Sequence, residues 1–251
     1  MIKFTYPNHP ARHGYMSEKI QGEYITSAVS KEILPVDAHR IPDIISLNAS
    51  NNKSKPIQFW QLYSVLGQDT IVNIIENFYG RVYENETWFT SVFAKVGDIG
   101  HHINTQASMW LDIMGGGPYY HGADFRLNFH HTHNAIQLMN EKGALRWSEL
   151  MLETLDYSNK HISSDPRIRI SINTFLNHFM AKYSEDFKFK NIGFFKNTNP
   201  PYKQKINFLK MSKEAIESLT EHELKQALIE QGVNVSNYTS KEKLINKAMM
   251  I

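Results

Sequence analysis

Between Ile57 and about residue 187, apolar residues return at helical spacing, and no convincing run of alternating apolar and polar residues interrupts them. That pattern confines the stretch to an all-helical domain: a face repeating every three or four residues lines one side of a helix and cannot line a strand. Ile71, Ile74, Ile75, Phe78 and Val82 share one such face, with Asp69 placed to start the helix. A second helix is expected from about Asp98 to Met114, with Ile103, Ala107, Trp110, Leu111 and Met114 on one side. Gly115-Gly116-Gly117-Pro118 then stops it. Glu141 to Tyr157 repeats the pattern with Ala144, Trp147, Met151 and Leu155. The last helix opens at Asp165-Pro166, an acidic cap followed by proline in the first turn. Its stripe is Ile168, Ile172, Phe175, Leu176, Phe179 and Tyr183.

The flanks read differently. Residues 1–56 are broken by Pro7, Pro10, Pro35 and Pro42 and end in the polar run 48–56, which reads as an irregular N-terminal extension. Residues 188–210, with Asn199-Pro200-Pro201 inside, read as a linker. Residues 211–251 form a small helical pair: one helix around Leu219–Leu228 ending near Gly232, another from Lys241. The helical domain between the flanks is assigned to 57–187.

Composition narrows what such a chain can do. With 41% hydrophobic and 12% aromatic residues, it can bury a core. A formal net charge of +2 is too small to argue for a nucleic-acid or membrane partner of the whole protein. The absence of cysteine rules out disulfides, thiolate-ligated haem and thiolate zinc sites within the chain. No apolar run approaches the ~20 residues that span a bilayer, and the first residues lack a signal-type apolar segment. A soluble cytoplasmic protein with no membrane contact is expected.

The chemistry concentrates in Phe129-His130-His131-Thr132-His133. Neutral imidazole ligates transition metals, haem iron among them. Haem needs one strong axial nitrogen, an apolar slot for a flat macrocycle and a controlled far side. A histidine turn ahead of a helix, with aromatic residues on facing helices, offers those parts. Spacing alone leaves open which of His130, His131 and His133 is the ligand. A competing reading joins His101-His102 to the cluster as a non-haem metal site, and another keeps the fold as a scaffold without haem. The glycine run has neither the preceding strand nor the following lysine of a phosphate cradle.

Taken together, Phe78-Tyr79-Gly80-Arg81-Val82, Gly116-Gly117-Pro118, Arg126-Leu127 leading into His130-His131, and Trp147 resemble the truncated haemoglobins. These are the short two-over-two helical globins, and the tryptophan points to their second group. The resemblance covers about residues 58–187. It implies haem b with His131 as the proximal iron ligand and Tyr79 as a distal hydroxyl donating to bound gas. It further implies Phe93 packed on the haem and Trp147 as an indole beside the ligand. Distal-helix residues facing the iron are expected among His102, Ile103, Gln106 and Ala107, with Trp110 further along the wall. Three departures stand out: three glycines where two are usual, an interval from His131 to Trp147 about three residues longer, and Gly67 alone where a glycine pair is usual.

The function implied is binding of O2, NO and CO, for nitric oxide dioxygenation, peroxide chemistry or sensing rather than bulk transport. An external reductase is implied, since the chain has no flavin or nicotinamide motif. The C-terminal pair resembles the SAP-type helix-loop-helix, whose relatives often bind DNA. From Lys203 onward, though, eight lysines face six glutamates, a weakly basic balance for a phosphate-binding surface. The alternative function is therefore a gas-responsive regulatory module whose C-terminal pair contacts a protein or, less favoured, DNA.

Overall fold

A computed structural model of the chain describes residues 9–94, 98–158, 162, 165–202 and 206–251. Residues 1–8 and 203–205, on which the readings of the N-terminus, of Pro7 and of the linker's end fall, lie outside the described residues. The chain divides into two compact units, Met1–Tyr202 and Lys203–Ile251.

The first unit is built on helix α3 (Leu62–Tyr83), which breaks at Gly67 with φ 70° and ψ 170°. Glycine takes that conformation without the Cβ penalty other residues meet. The element is thus two helices meeting at a kink, and Asp69 lies in the opening turn of the second, where the sequence places a helix start. Beyond the break, Ile71, Ile74, Ile75, Phe78 and Val82 are buried on one side. Helix α4 (Thr87–Ala94) follows. Helix α5 (Ile99–Ile113) is capped by Asp98, whose carboxylate accepts from the His101 amide at 3.0 Å.

Helix α6 (Ala123–Phe129) runs into a turn that closes before α7 (Glu141–Tyr157), capped by Asn140. Helix α8 (Pro166–Asp186) starts at Asp165, which accepts from the Arg167 amide at 3.1 Å and pairs with its guanidinium at 2.7 Å. Helix α3 packs on α5 and on both α7 and α8. The result is the expected all-α, two-over-two arrangement, α3 with α5 against α7 with α8. Among the described residues no strand forms, and no helix is long and apolar enough to cross a membrane.

The N-terminal stretch departs from its expectation. Within it lies helix α1 (Ser17–Ser30), which packs on α5. Met16, Ile20, Tyr24, Ile25 and Ala28 join the same core as α3 and α5. No side chain of its own caps α1. Instead Asp112, fully buried on α5, accepts from the amides of Tyr15, Met16 and Ser17 at 3.0, 2.8 and 3.1 Å. Gly14 permits this approach, since a Cβ there would lie 2.3 Å from the carboxylate. A cap supplied from roughly a hundred residues away leaves no local signal, which is why this stretch read as irregular. A short helix α2 (Pro42–Ile45) follows, where the Trp60 indole donates to the Ile44 carbonyl at 2.8 Å.

The stretch after α8 is also bound to this unit. Asn199 donates from its amide to the Thr174 hydroxyl (2.8 Å) and from its side chain to the Ile57 carbonyl (2.9 Å). The Tyr202 amide donates to the Ile33 carbonyl at 2.8 Å. Residues 188–202 are thus strapped to the helical body, and the division falls between Tyr202 and Lys203.

The second unit has its own small core of Phe208, Ile216, Leu224, Ala227, Leu228, Leu244 and Ala248. It comprises α9 (Lys213–Ser218), α10 (Glu221–Glu230) and α11 (Lys241–Ala248). Thr220 and Glu223 form a reciprocal capping box at the start of α10.

Candidate functional site

The two helical layers leave a cavity of about 100 Å³ walled by α3, α4, α5, α7, α8 and the histidine turn. Its walls are overwhelmingly apolar. Phe78 and Tyr79 come from α3, Phe93 from α4, and Trp147 and Met151 from α7.

The histidine turn owes its position to the residues around it. Leu127, Ala135 and Leu138 are buried and anchor both ends. Between them the backbone widens into one π-type turn over His130–Asn134, closed by the Ala135 amide donating to the His130 carbonyl at 2.9 Å. Such widened turns recur at functional sites because they re-aim side chains that a regular helix would point elsewhere. Thr132 steadies this one by donating from its hydroxyl to the Asn128 carbonyl at 2.8 Å.

The turn sorts the three histidines. His130 and His131 both line the cavity. His133 is exposed and stacks on Phe129, ring centroids 4.2 Å apart and planes 12° apart, with Nδ1 2.8 Å from the Thr132 hydroxyl. The His131 ring lies 4.4 Å from the Tyr183 ring and 5.3 Å from His130. Burial depresses the His131 pKa to about 3, helped by the positive charges that His130 and Lys182 can carry; burial also lowers that of His130. Both rings are therefore neutral at ordinary pH, the state in which imidazole offers a metal its lone pair.

Tyr79, which also lines the cavity, is buried against Phe78 (4.9 Å) and edge-on to His102 (4.7 Å, 86°). Burial first, with Tyr83 and Tyr183 adding to it, pushes its phenol far above the ordinary value, so it stays a protonated donor. Trp147 lines the cavity with its ring 4.9 Å from Phe78, and Phe93 lines it from 6.1 Å beyond Tyr79. Of the distal-helix candidates, Gln106 and Trp110 reach the cavity wall. His102, Ile103 and Ala107 do not line it: His102 lies behind Tyr79 and Phe93, Ala107 is fully buried, and Ile103 packs partly buried against the core.

His102 is 2% exposed, and its Nε2 has no hydrogen-bond partner. Burial first, then the nearby His130 and His101, lowers its pKa to about 3. A buried polar atom without a partner costs about 1–3 kcal/mol. His101 is exposed beside Arg126, whose guanidinium nitrogen is 3.3 Å from its Nε2. Among the described residues no three His, Asp or Glu side chains gather to hold a metal by themselves, so the non-haem reading finds no such cluster. An apolar slot with neutral, uncommitted imidazoles at its edge is what a haem requires of a protein, and the residues present fit that group.

Phe175, Phe179 and Tyr183, which the sequence marks only as part of the apolar stripe of α8, line the cavity, as do Met180 of α8, Met109 of α5 and Met139 after the turn. The periodic stripe of α8 was the one available signal. It marks a buried face without saying whether that face meets protein or a ligand.

Residues 61–182 match the bacterial-like globin family. Over 110 residues the chain is 32% identical to two-on-two hemoglobin-3 of Arabidopsis thaliana, covering 43% of this chain and 61% of that protein. It is likewise 32% identical over 110 residues to group 2 truncated hemoglobin 3-1 of Lotus japonicus, covering 43% of this chain and 64% of that protein. The match thus spans a little under two thirds of the length of these curated relatives. No solved structure matches the chain.

Proposed function

Residues 61–182 of this chain belong to the truncated globins, and from that premise we propose that they hold haem b and bind diatomic gases (O2, NO and CO) for redox chemistry or sensing. The observation that carries the reading is an apolar cavity lined by the neutral imidazoles of His130 and His131 and by the buried Tyr79. His131 would hold the haem iron through its imidazole, with Tyr183 beside its ring at 4.4 Å. Haem supplies reversible gas binding and one-electron chemistry at its iron.

The chain's own residues do the rest. Phe78, Phe93, Phe175 and Phe179 line the slot and would exclude water from it, and Phe93 would pack against the haem. Tyr79 and Trp147 offer an O–H and an N–H to a gas ligand that has gained negative charge. A hydrogen bond to a charged acceptor contributes about 1.5–3 kcal/mol. At tenfold per 1.4 kcal/mol, each such donor changes gas affinity by roughly one to two decades. Two donors make a slow-releasing site, suited to redox chemistry or sensing. Nitric oxide dioxygenation and peroxide turnover are the proposed activities, with electrons from a separate reductase and a cytoplasmic location.

A second reading, in which the globin senses a gas and the C-terminal unit passes the signal to a partner protein, rests on that unit's separate core and its exposed Leu209, Ile229 and Met250. Contact with DNA through a SAP-like fold is the less favoured version. Gel-shift binding that changes with the haem's ligation state would select it.

The test of the main reading is optical. Purified protein should show a Soret band with one haem per chain, and His131→Ala should abolish or grossly alter it. An unchanged spectrum in that variant would exclude His131 as the ligand.

A further inference from the structure

The family match ends at residue 182, but the chain does not leave the helical body there. Residues 188–202 continue along it as a strap, and two of its aromatic rings reach the site. Phe189 lines the cavity itself. Phe195 does not, yet it is 3% exposed and its ring meets that of Trp147, which does. The two rings stand edge to face, 6.5 Å between centroids and 79° between planes, an arrangement aromatic pairs favour. Trp147 is only partly buried, and its ring sits between Phe78 of α3 at 4.9 Å and Phe195 of the strap.

The strap is anchored next to that contact. The side-chain amide of Asn173 on α8 donates to the carbonyl of Lys196, the residue after Phe195, at 2.6 Å. Arg169 orients Asn173 by donating from Nε to its Oδ1 at 3.3 Å, and itself pairs with Asp156 of α7 at 2.9 Å. Asn199 adds its bonds to Thr174 and Ile57 a few residues further on. An irregular segment has no helix or sheet ladder to place its side chains, so such anchors do it.

Resting on the haem reading above, we propose that Phe195 is a positioning residue: it pins the Trp147 indole against Phe78, so that the strap beyond the family match sets how fast a bound gas leaves. A partly buried indole with one side open populates other rotamers. Each rotamer that carries its N–H away from a bound gas removes one donor, and ordering the ring beforehand avoids that loss. Phe195 touches no ligand and acts only through Trp147.

The experiment uses the full chain, and its first readout needs no haem. The near-ultraviolet circular dichroism that Trp147 contributes, taken as the difference made by Trp147→Phe, should fall about twofold or more in Phe195→Ala. In the haem-loaded chain, Phe195→Ala should speed oxygen dissociation roughly threefold to tenfold. In a Trp147→Phe background the same substitution should leave the rate within about 1.5-fold, because the indole it acts on is gone.

If Phe195→Ala does not fold, Phe195→Leu keeps most of the apolar volume, removes the ring edge and carries the same test. Equal acceleration in both backgrounds would mean that Phe195 acts by general packing, and overturns the proposal. An unchanged rate or an unchanged Trp147 dichroism in Phe195→Ala overturns it too, and all three results leave the haem reading intact. A wild-type chain that takes up no haem overturns both, so the two failures are distinguishable.

Discussion

Helix α5 carries a buried polar side chain near each end, and the fold treats the two in opposite ways. Asp112, at the C-terminal end, accepts from the amides of Tyr15, Met16 and Ser17 and, at 3.4 Å, of Tyr120. His102, at the N-terminal end, is as thoroughly enclosed, yet its Nε2 meets no partner. Buried polar groups that hold a fold together are saturated by the backbone they organise. The comparison separates a saturated anchor from an unsatisfied buried group on a single helix.

The largest effect should come from breaking the anchor. Asp112→Ala would strand the first amides of α1 without water or partner and should destabilise the Met1–Tyr202 unit by about 3–5 kcal/mol. All four tryptophans (Trp60, Trp88, Trp110 and Trp147) lie in that unit, so urea unfolding followed by their fluorescence reads it alone. A loss below about 1 kcal/mol would mean that the N-terminal helix is a dispensable attachment, and the contrast with His102 would lose its meaning.

On the cavity side the signature should be kinetic rather than structural. Tyr79→Phe keeps the ring contacts and removes only the hydroxyl. Oxygen should then dissociate about tenfold faster or more, with unfolding free energy within about 1 kcal/mol of wild type. An unaltered off-rate would place the hydroxyl away from the gas.

His178 tests whether a buried, unpartnered imidazole without a cavity has any purpose beyond packing. Burial, with Lys182 and Lys31 adding to it, lowers its pKa from 6.5 to about 4. The unfolded chain therefore takes up the proton first, and the contribution of the neutral ring to stability is lost as pH falls from about 6.5 toward about 4. His178→Leu should flatten the stability-pH curve of the haem-free protein in that window by up to about 1 kcal/mol per pH unit. An identical slope in wild type and variant would show that the ring is not held neutral.

The smallest effect belongs to His102 without haem. Removing an unsatisfied group should leave the haem-free chain as stable as wild type, or more stable by up to about 1 kcal/mol in His102→Leu. A clear destabilisation in the same urea experiment would mean that His102 has a structural partner after all, and would make it a second anchor.

Much of the body was legible because its signals are local. Asp98, Asn140 and Asp165-Pro166 each sit at a helix start, and α5, α7 and α8 begin within a residue of where cap and stripe locate them. Of the residues that the family resemblance implies, Tyr79, Phe93, Gln106, Trp110, His131 and Trp147 line the cavity. His102, Ile103 and Ala107, implied with them along α5, do not line it. The α8 wall escaped because Phe175, Phe179 and Tyr183 carry the same periodicity whether they pack on protein or face a ligand.

Apolar spacing, caps and the position of the histidine run were sufficient to specify an all-helical body and the turn where its chemistry gathers, since each depends on residues a few positions apart. Only the tertiary structure decided that α1 belongs to the core, that His133 faces outward while His130 and His131 face inward, and that His102 is left without a partner. Those outcomes depend on groups far apart in the chain being brought within hydrogen-bonding or van der Waals range, and on the dielectric and packing that enclosure creates. A linear pattern encodes which faces are apolar. It does not encode what each buried polar atom will find opposite it.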